Sequence, residues 1–292
     1  MKKAKLLTLL AVPFLLAGCG EEEIAPKGPK VETRYSADNS IEEKNEYSYD
    51  KNGNPVEILS AYYIGGVALK SKVTLEYNGN LLAREYSYSQ KEDSSWDLKY
   101  KAYYSYDENG KEKVNYAIKI ADNGEEVPSN IEFSNYNDKN LLIHTESYRF
   151  AKGEFTPLIS VYYEYNDKGL LVSERRAESY YTESSILQQR FEYVYNADDT
   201  LKEVKEYSGY LENGKMGEEK LNFITSYEYD AKKNKISETC HGFDDLNQDY
   251  VKTKETYEYD DKNRMIKSSY FNLPDDETVT DLVLDSYTIY EY

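Results

Sequence analysis

Few side chains in this 292-residue sequence are of types that make or break bonds. There are two cysteines, Cys19 and Cys240, and two histidines, His144 and His241. So few soft ligands leave no zinc-binding pattern. Cys240 and His241 are adjacent, and neighbours on a strand point to opposite faces, so they do not form a nucleophile–base pair. Cys240 reads as a lone structural thiol. Glycoside hydrolysis needs two placed carboxylates, but with 54 Asp and Glu no pair can be singled out. Segments such as Asp50-Lys51-Asn52-Gly53-Asn54 offer oxygens to calcium but lack the bidentate glutamate that completes an EF-hand loop. What remains is aromatic: 33 Tyr against 8 Phe and one Trp. Trp96, Tyr100, Tyr104 and Tyr106 form the most aromatic run at strand spacing. Their rings are the candidate ligand-binding residues, suited to stacking on the apolar faces of sugars. No catalytic residue, metal or cofactor is expected.

Lys2, Lys3 and Lys5 precede an apolar run from Leu6 to Leu16. A spanning helix needs roughly 20 apolar residues, so the run is a signal peptide's core rather than a permanent anchor. Leu16-Ala17-Gly18-Cys19 resembles the lipobox of bacterial lipoproteins. That resemblance implies diacylglycerol on the Cys19 thiol, removal of residues 1–18 as a signal peptide, and acylation of the new amine. Residues 19–30, with Glu21-Glu22-Glu23 and then Pro26 and Pro29, read as a solvated, semi-stiff tether. The acidic cluster is similar to a surface-export signal, and Gly20 is not the aspartate associated with inner-membrane retention. The expected location is the outer membrane, on its periplasmic or extracellular face. With Cys19 acylated, Cys240 has no intramolecular disulfide partner.

The formal charge is −18, and removal of the three signal lysines makes the mature chain more acidic still. A field of that sign repels phosphate backbones, so no nucleic-acid partner is expected.

An aromatic residue, any residue, Tyr and then Asp or Asn recur along residues 31–292, which form a single domain. The motif stands at Tyr47-Ser48-Tyr49-Asp50, Tyr104-Ser105-Tyr106-Asp107, Tyr163-Glu164-Tyr165-Asn166, Tyr193-Val194-Tyr195-Asn196, Tyr227-Glu228-Tyr229-Asp230 and Tyr257-Glu258-Tyr259-Asp260. Degenerate copies are Leu75-Glu76-Tyr77-Asn78 and Ser134-Asn135-Tyr136-Asn137, and Tyr290-Glu291-Tyr292 opens a ninth. The period is roughly 30 residues. In each copy the Asp or Asn can bond amides ahead of it, and a tolerant residue three places on can take positive φ. Those residues are Gly53, Gly110, Asn140, Gly169, Asp199 and Asn263. The copy at Asp230 has Lys233 there and Asn234 next, which suggests a loop one residue longer. Asn78-Gly79 suggests a two-residue hairpin turn.

Before each turn the chain alternates as half-buried strands do. One face of the strand ending at Tyr106 would carry Trp96, Leu98, Tyr100, Ala102, Tyr104 and Tyr106; another would carry Phe155, Ile159, Val161, Tyr163 and Tyr165. The expectation is an all-β antiparallel meander of about 17 strands from eight-and-a-half hairpin repeats, a closed or nearly closed barrel-like sheet. Because a buried phenol needs a partner, the tyrosines suggest a hydrated interior. Lys and Glu on the other face argue against a membrane-spanning barrel.

The Tyr-Asp, turn-glycine, hydrophobic pattern resembles the YD repeats of RHS proteins, though with a longer period, so the shell-building role of that family does not carry over. The chain is also similar to uncharacterised Gram-negative lipoproteins with a porin-like fold, a likeness that implies barrel shape and no activity. The function expected is a lipid-anchored, non-enzymatic binding or structural role. The membrane is a partner through the lipid, and a glycan or an envelope protein is the candidate second partner. The alternatives are an envelope enzyme acting on polysaccharide and a calcium-binding scaffold.

Overall fold

The computed structural model describes residues 28–179, 185–212, 215–216, 218–243, 249–274 and 281–292. Cys19, the signal peptide and most of the tether lie outside the described residues. The strands are β1 Val31–Ser36, β2 Ile41–Tyr49, β3 Pro55–Ile64, β4 Val67–Asn78, β5 Leu81–Gln90 and β6 Trp96–Tyr106. They continue as β7 Glu112–Ile120, β8 Glu126–Tyr136, β9 Leu142–Ala151, β10 Glu154–Tyr165, β11 Leu171–Ser179, β12 Ser185–Tyr195 and β13 Leu201–Glu212. The last are β14 Lys215–Met216, β15 Lys220–Tyr229, β16 Lys235–Phe243, β17 Asp249–Tyr259, β18 Met265–Asn272 and β19 Val283–Glu291.

The sheet is one antiparallel meander, and it closes. β1 pairs with β2 on one side and with β19 on the other, so 18 strands form a ring, with the two-residue β14 attached to β13 alone. The half-copy at Tyr290 is thereby completed by the N-terminal strand, which supplies the second strand that copy lacks. Apart from β14 and the β3–β4 tip, closure pairs the strands of the ring on both sides, which removes the long free edges that template aggregation.

Seven of the repeat turns share one geometry. Asp50 N–H donates to the Asn54 carbonyl at 2.8 Å, Gly53 N–H donates to the Asp50 carbonyl at 3.0 Å, and the Asp50 carboxylate accepts from the amides of Asn52 and Asn54. Positive φ falls at Gly53, Gly110, Asn140, Gly169, Asp199, Lys233 and Asn263. Lys233 corrects the expectation of a longer loop: its φ of 66° and the Lys233→Asp230 bond reproduce the standard turn. The two-residue turn expected at Asn78-Gly79 falls one residue later, at Gly79-Asn80, because Asn78 pairs with Leu81.

The strands also carry bulges that alternation does not reveal. After every turn one residue is unpaired: Val56, Ala83, Lys113, Ile143, Val172, Lys202, Ile236 and Ile266. A second bulge lies five residues before the first motif position, at Glu42, Lys99, Ser129, Leu158, Asn222, Lys252 and Asp285. Bulges raise local twist and bend the sheet, which is what closing a ring of strands requires. Because side chains alternate strictly, one extra residue also reverses every face beyond it.

The outer wall carries ion pairs such as Lys44–Glu46 at 2.6 Å, Arg84–Glu76 at 3.2 Å and Lys267–Glu258 at 3.4 Å. Exposed apolar side chains such as Phe133, Tyr162 and Val194 are interspersed among these charges. There is no dry core, since Val161 is the one buried hydrophobic residue among those described.

Candidate functional site

Register places the motif tyrosines on the inner face, and their hydroxyls explain why they are not phenylalanines. In most copies the second tyrosine reaches back one copy. Tyr106 donates to the Leu82 carbonyl at 2.7 Å, Tyr165 to Leu142 at 2.7 Å, Tyr195 to Leu171 at 2.8 Å and Tyr259 to Lys235 at 2.8 Å. Each acceptor lies beside the bulge after its turn, where the ladder is interrupted. Tyr49 makes the same bond to the Pro29 carbonyl at 2.7 Å and Tyr292 to Met265 at 3.1 Å, so a latch stands on each side of the closing β1–β19 seam.

In three copies the first tyrosine takes a carboxylate from the preceding strand, Tyr47–Glu32 at 2.8 Å, Tyr104–Glu85 at 3.2 Å and Tyr193–Glu174 at 3.1 Å, whereas the same position holds Thr145, Val204 and Ser268 in the copies at Tyr163, Tyr227 and Tyr290. Burial, and then the neighbouring carboxylates, push the phenols of Tyr47, Tyr104 and Tyr193 well above the usual tyrosine range. Glu174 is only 6% exposed and also accepts from Arg176 Nε at 2.5 Å. A buried carboxylate is tolerated when it is paired in this way.

Two copies lack the first tyrosine, and they differ. In one, Leu75 stands where the tyrosine would be and Ile58 where its glutamate would be, so both members of the pair are apolar. In the other, Ser134 and Asn115 fill the two positions, and the Asn115 Oδ1 is buried without a hydrogen-bond partner. Losing a phenol to a serine leaves space. A cleft of about 420 Å³ opens there, lined by Glu112, Glu132, Ser134, Tyr136, Leu142, Thr145, Ser147, Ile159, Val161, Tyr163 and Arg176. Burial and then the Glu132 charge raise Glu112, and burial raises Glu132. Neither carboxylate has a hydrogen-bond or ion-pair partner among the described residues. The wall therefore offers hydroxyls and acceptors beside an apolar strip from Leu142, Ile159 and Val161, the mixture that small polar ligands use.

The stripe expected from Trp96 to Tyr106 is split. Ser87 pairs with Tyr100 but Tyr88 pairs with Leu98, so the bulge at Lys99 turns Trp96 and Leu98 to the outer wall. Tyr100, Tyr104 and Tyr106 stay inside, with Tyr104 and Tyr106 already committed to Glu85 and to Leu82. Trp96 sits instead beside Tyr88, with Lys72 Nζ 4.8 Å from the Tyr88 ring and 5.0 Å from its own. Phe155 leaves its expected face for the same reason, through Leu158, and packs outside on Phe150 at 5.2 Å. The cleft residues went unseen because none is unusual by type; the signal was the degenerate copy at Ser134.

Cys240 is half-buried facing the lumen, where burial raises its thiol. Its neighbour His241 faces the other way, toward Asp249 at 3.7 Å. Among the described residues no group of three or more His, Cys, Asp or Glu is placed to hold a metal ion.

No family model matches the sequence, and no curated protein matches it. Among solved structures, a porin-like protein from Bacteroides uniformis aligns over 90% of this chain and 96% of its own at 8% identity, with a TM-score of 0.41. A porin-like protein from Bacteroides vulgatus aligns over 90% and 98% at 10% identity, with a TM-score of 0.32. The TcdB2–TccC3 complex aligns over 85% of this chain and 16% of its own at 11% identity, with a TM-score of 0.29.

Proposed function

We propose that the protein is a lipid-anchored, non-enzymatic barrel of the Gram-negative outer membrane that binds a glycan in its lumen. The observation that carries the reading is the cleft at Ser134. The series of first-position tyrosines is interrupted there by a polar residue that leaves an open, unsatisfied surface, whereas the Leu75 interruption is apolar. A sugar presents hydroxyls to Glu112, Glu132 and Ser134 and an apolar ring face to Tyr163 and the Leu142–Val161 strip. The lipid belongs to this reading through the Leu16–Cys19 lipobox, and Cys19→Ala should abolish fatty-acid labelling of the full chain.

Residues 28–292 contain every strand and both sides of the closing seam, so they suffice for binding tests. Calorimetric titration with a panel of bacterial and plant oligosaccharides should find one that saturates. Silence across the panel would remove the glycan and leave a structural envelope component. A second reading rests on the same two carboxylates, since a polysaccharide-cleaving enzyme needs one protonated acid beside an ionised one. Release of reducing ends during the titration would favour it.

A further inference from the structure

We propose that the tip of the β3–β4 hairpin is a finger that seats in the interface of an anionic lipid bilayer. The last rung joining β3 to β2 is Tyr62–Glu43, and the last joining β4 to β5 is Ser71–Ser89. β3 and β4 nevertheless stay paired to each other as far as Ile64–Val67. Residues 63–70 therefore stand clear of both neighbouring strands. Four residues of β4 beyond its last outer rung extend about 13 Å, enough for the roughly 5–10 Å depth at which interfacial segments sit.

The finger is apolar where solvated tips are normally polar. Ile64 is 67% exposed, Val67 61% and Leu69 55%. The tip turns through Gly65 and Gly66, both at positive φ with nothing within 4 Å of a built Cβ. Its charges are complementary to headgroup phosphates: Lys70 and Lys72 are the charged residues of 63–72, in a chain of net charge −18. At its base on the outer wall are Trp96 and Tyr88, the ring types that favour a membrane–water boundary. Ile64, Val67 and Leu69 share one face of the finger, and Tyr63, Ala68 and Lys70 the other, so apolar side chains, a phenol and a cation are presented together, the mixture that an interfacial segment uses.

The finger is at the opposite rim from Gly28, which lies beside Tyr49 at the turn end. Nine residues from Cys19 to Gly28 reach at most about 31 Å, and tilt makes the barrel shorter than its strands. Lipid on Cys19 and the finger can thus meet one surface, although the finger stands without the lipid.

The test uses residues 28–292, which lack Cys19, with vesicles of phosphatidylethanolamine and phosphatidylglycerol. The barrel should cosediment with them, and the emission of Trp96 should shift to the blue. Ile64→Asn with Val67→Asn should weaken binding tenfold or more while the melting curve stays unchanged. Failure of the wild type to bind, or equal binding by the double variant, would overturn the proposal. So would self-association through the finger without vesicle binding. Glycan binding in the lumen is untouched by any of these outcomes, so the two readings fail separately.

Discussion

Replacing latch tyrosines by phenylalanine tests whether the hydroxyls, rather than the rings, hold successive copies in register. Tyr106, Tyr165 and Tyr259 donate to the carbonyls of Leu82, Leu142 and Lys235 at 2.7, 2.7 and 2.8 Å. Phenylalanine keeps the ring and removes the donor, leaving a part-buried carbonyl beside an interrupted ladder. A hydrogen bond of this kind contributes about 1 kcal/mol net. The three sites are at least one full copy apart and share no partner, so their losses should sum to about 3 kcal/mol. That is a large share of the roughly 5–15 kcal/mol that holds a typical domain. Tyr100→Phe is the control: Tyr100 is 44% exposed, and removing its hydroxyl should change little. Urea unfolding followed by far-ultraviolet circular dichroism would read the midpoint, with the slope expected to stay constant. A triple variant within about 0.5 kcal/mol of wild type, too small a change for three lost bonds, would refute the latch and leave the tyrosines as packing alone.

Gly169 has a φ of +80°, so Gly169→Val should cost at least about 1–2 kcal/mol, while Gly169→Asn should be much milder; equal melting temperatures would sink the turn geometry. Glu132 is raised by burial, so its contribution to stability is full below the ordinary carboxylate range and is lost as pH rises through the raised folded value. Glu132→Gln should therefore melt higher than wild type at pH 7–8 and lose that advantage in acid, and an advantage independent of pH would contradict the sign. Trp96, on the outer wall, should remain open to acrylamide and silent to any ligand bound in the lumen; a change of its emission on glycan binding would place the site elsewhere.

The turns were legible because they are built locally. Asp50 and Gly53 carry both the hydrogen bonds and the φ of their own loop, and the same chemistry is spelled out in each copy. Antiparallel pairing followed from those turns, and so did the strand count, save for β1. Val31-Glu32-Thr33-Arg34-Tyr35 has no Tyr-x-Tyr mark, and its role as closing strand depends on contact with β19 at the far end of the chain. The bulges were illegible for a different reason. Glu42, Lys99, Ser129, Leu158, Asn222, Lys252 and Asp285 follow no single side-chain type, since they answer to the curvature of the ring rather than to local preference. Missing the one at Lys99 put Trp96 on the wrong face. Ser134 was visible as a flaw in the repeat, but its meaning depends on Asn115, which only the register sets beside it.

The most direct test of the account is to repair that flaw. Ser134→Tyr restores the consensus tyrosine of its copy and should fill the cleft beside Tyr136 and Tyr163, with the barrel as stable as before or more so. Calorimetry of the repaired and wild-type barrels against the glycan that saturates the wild type should show binding lost in the repaired form. Undiminished binding after the repair would contradict the claim that the broken copy is the site.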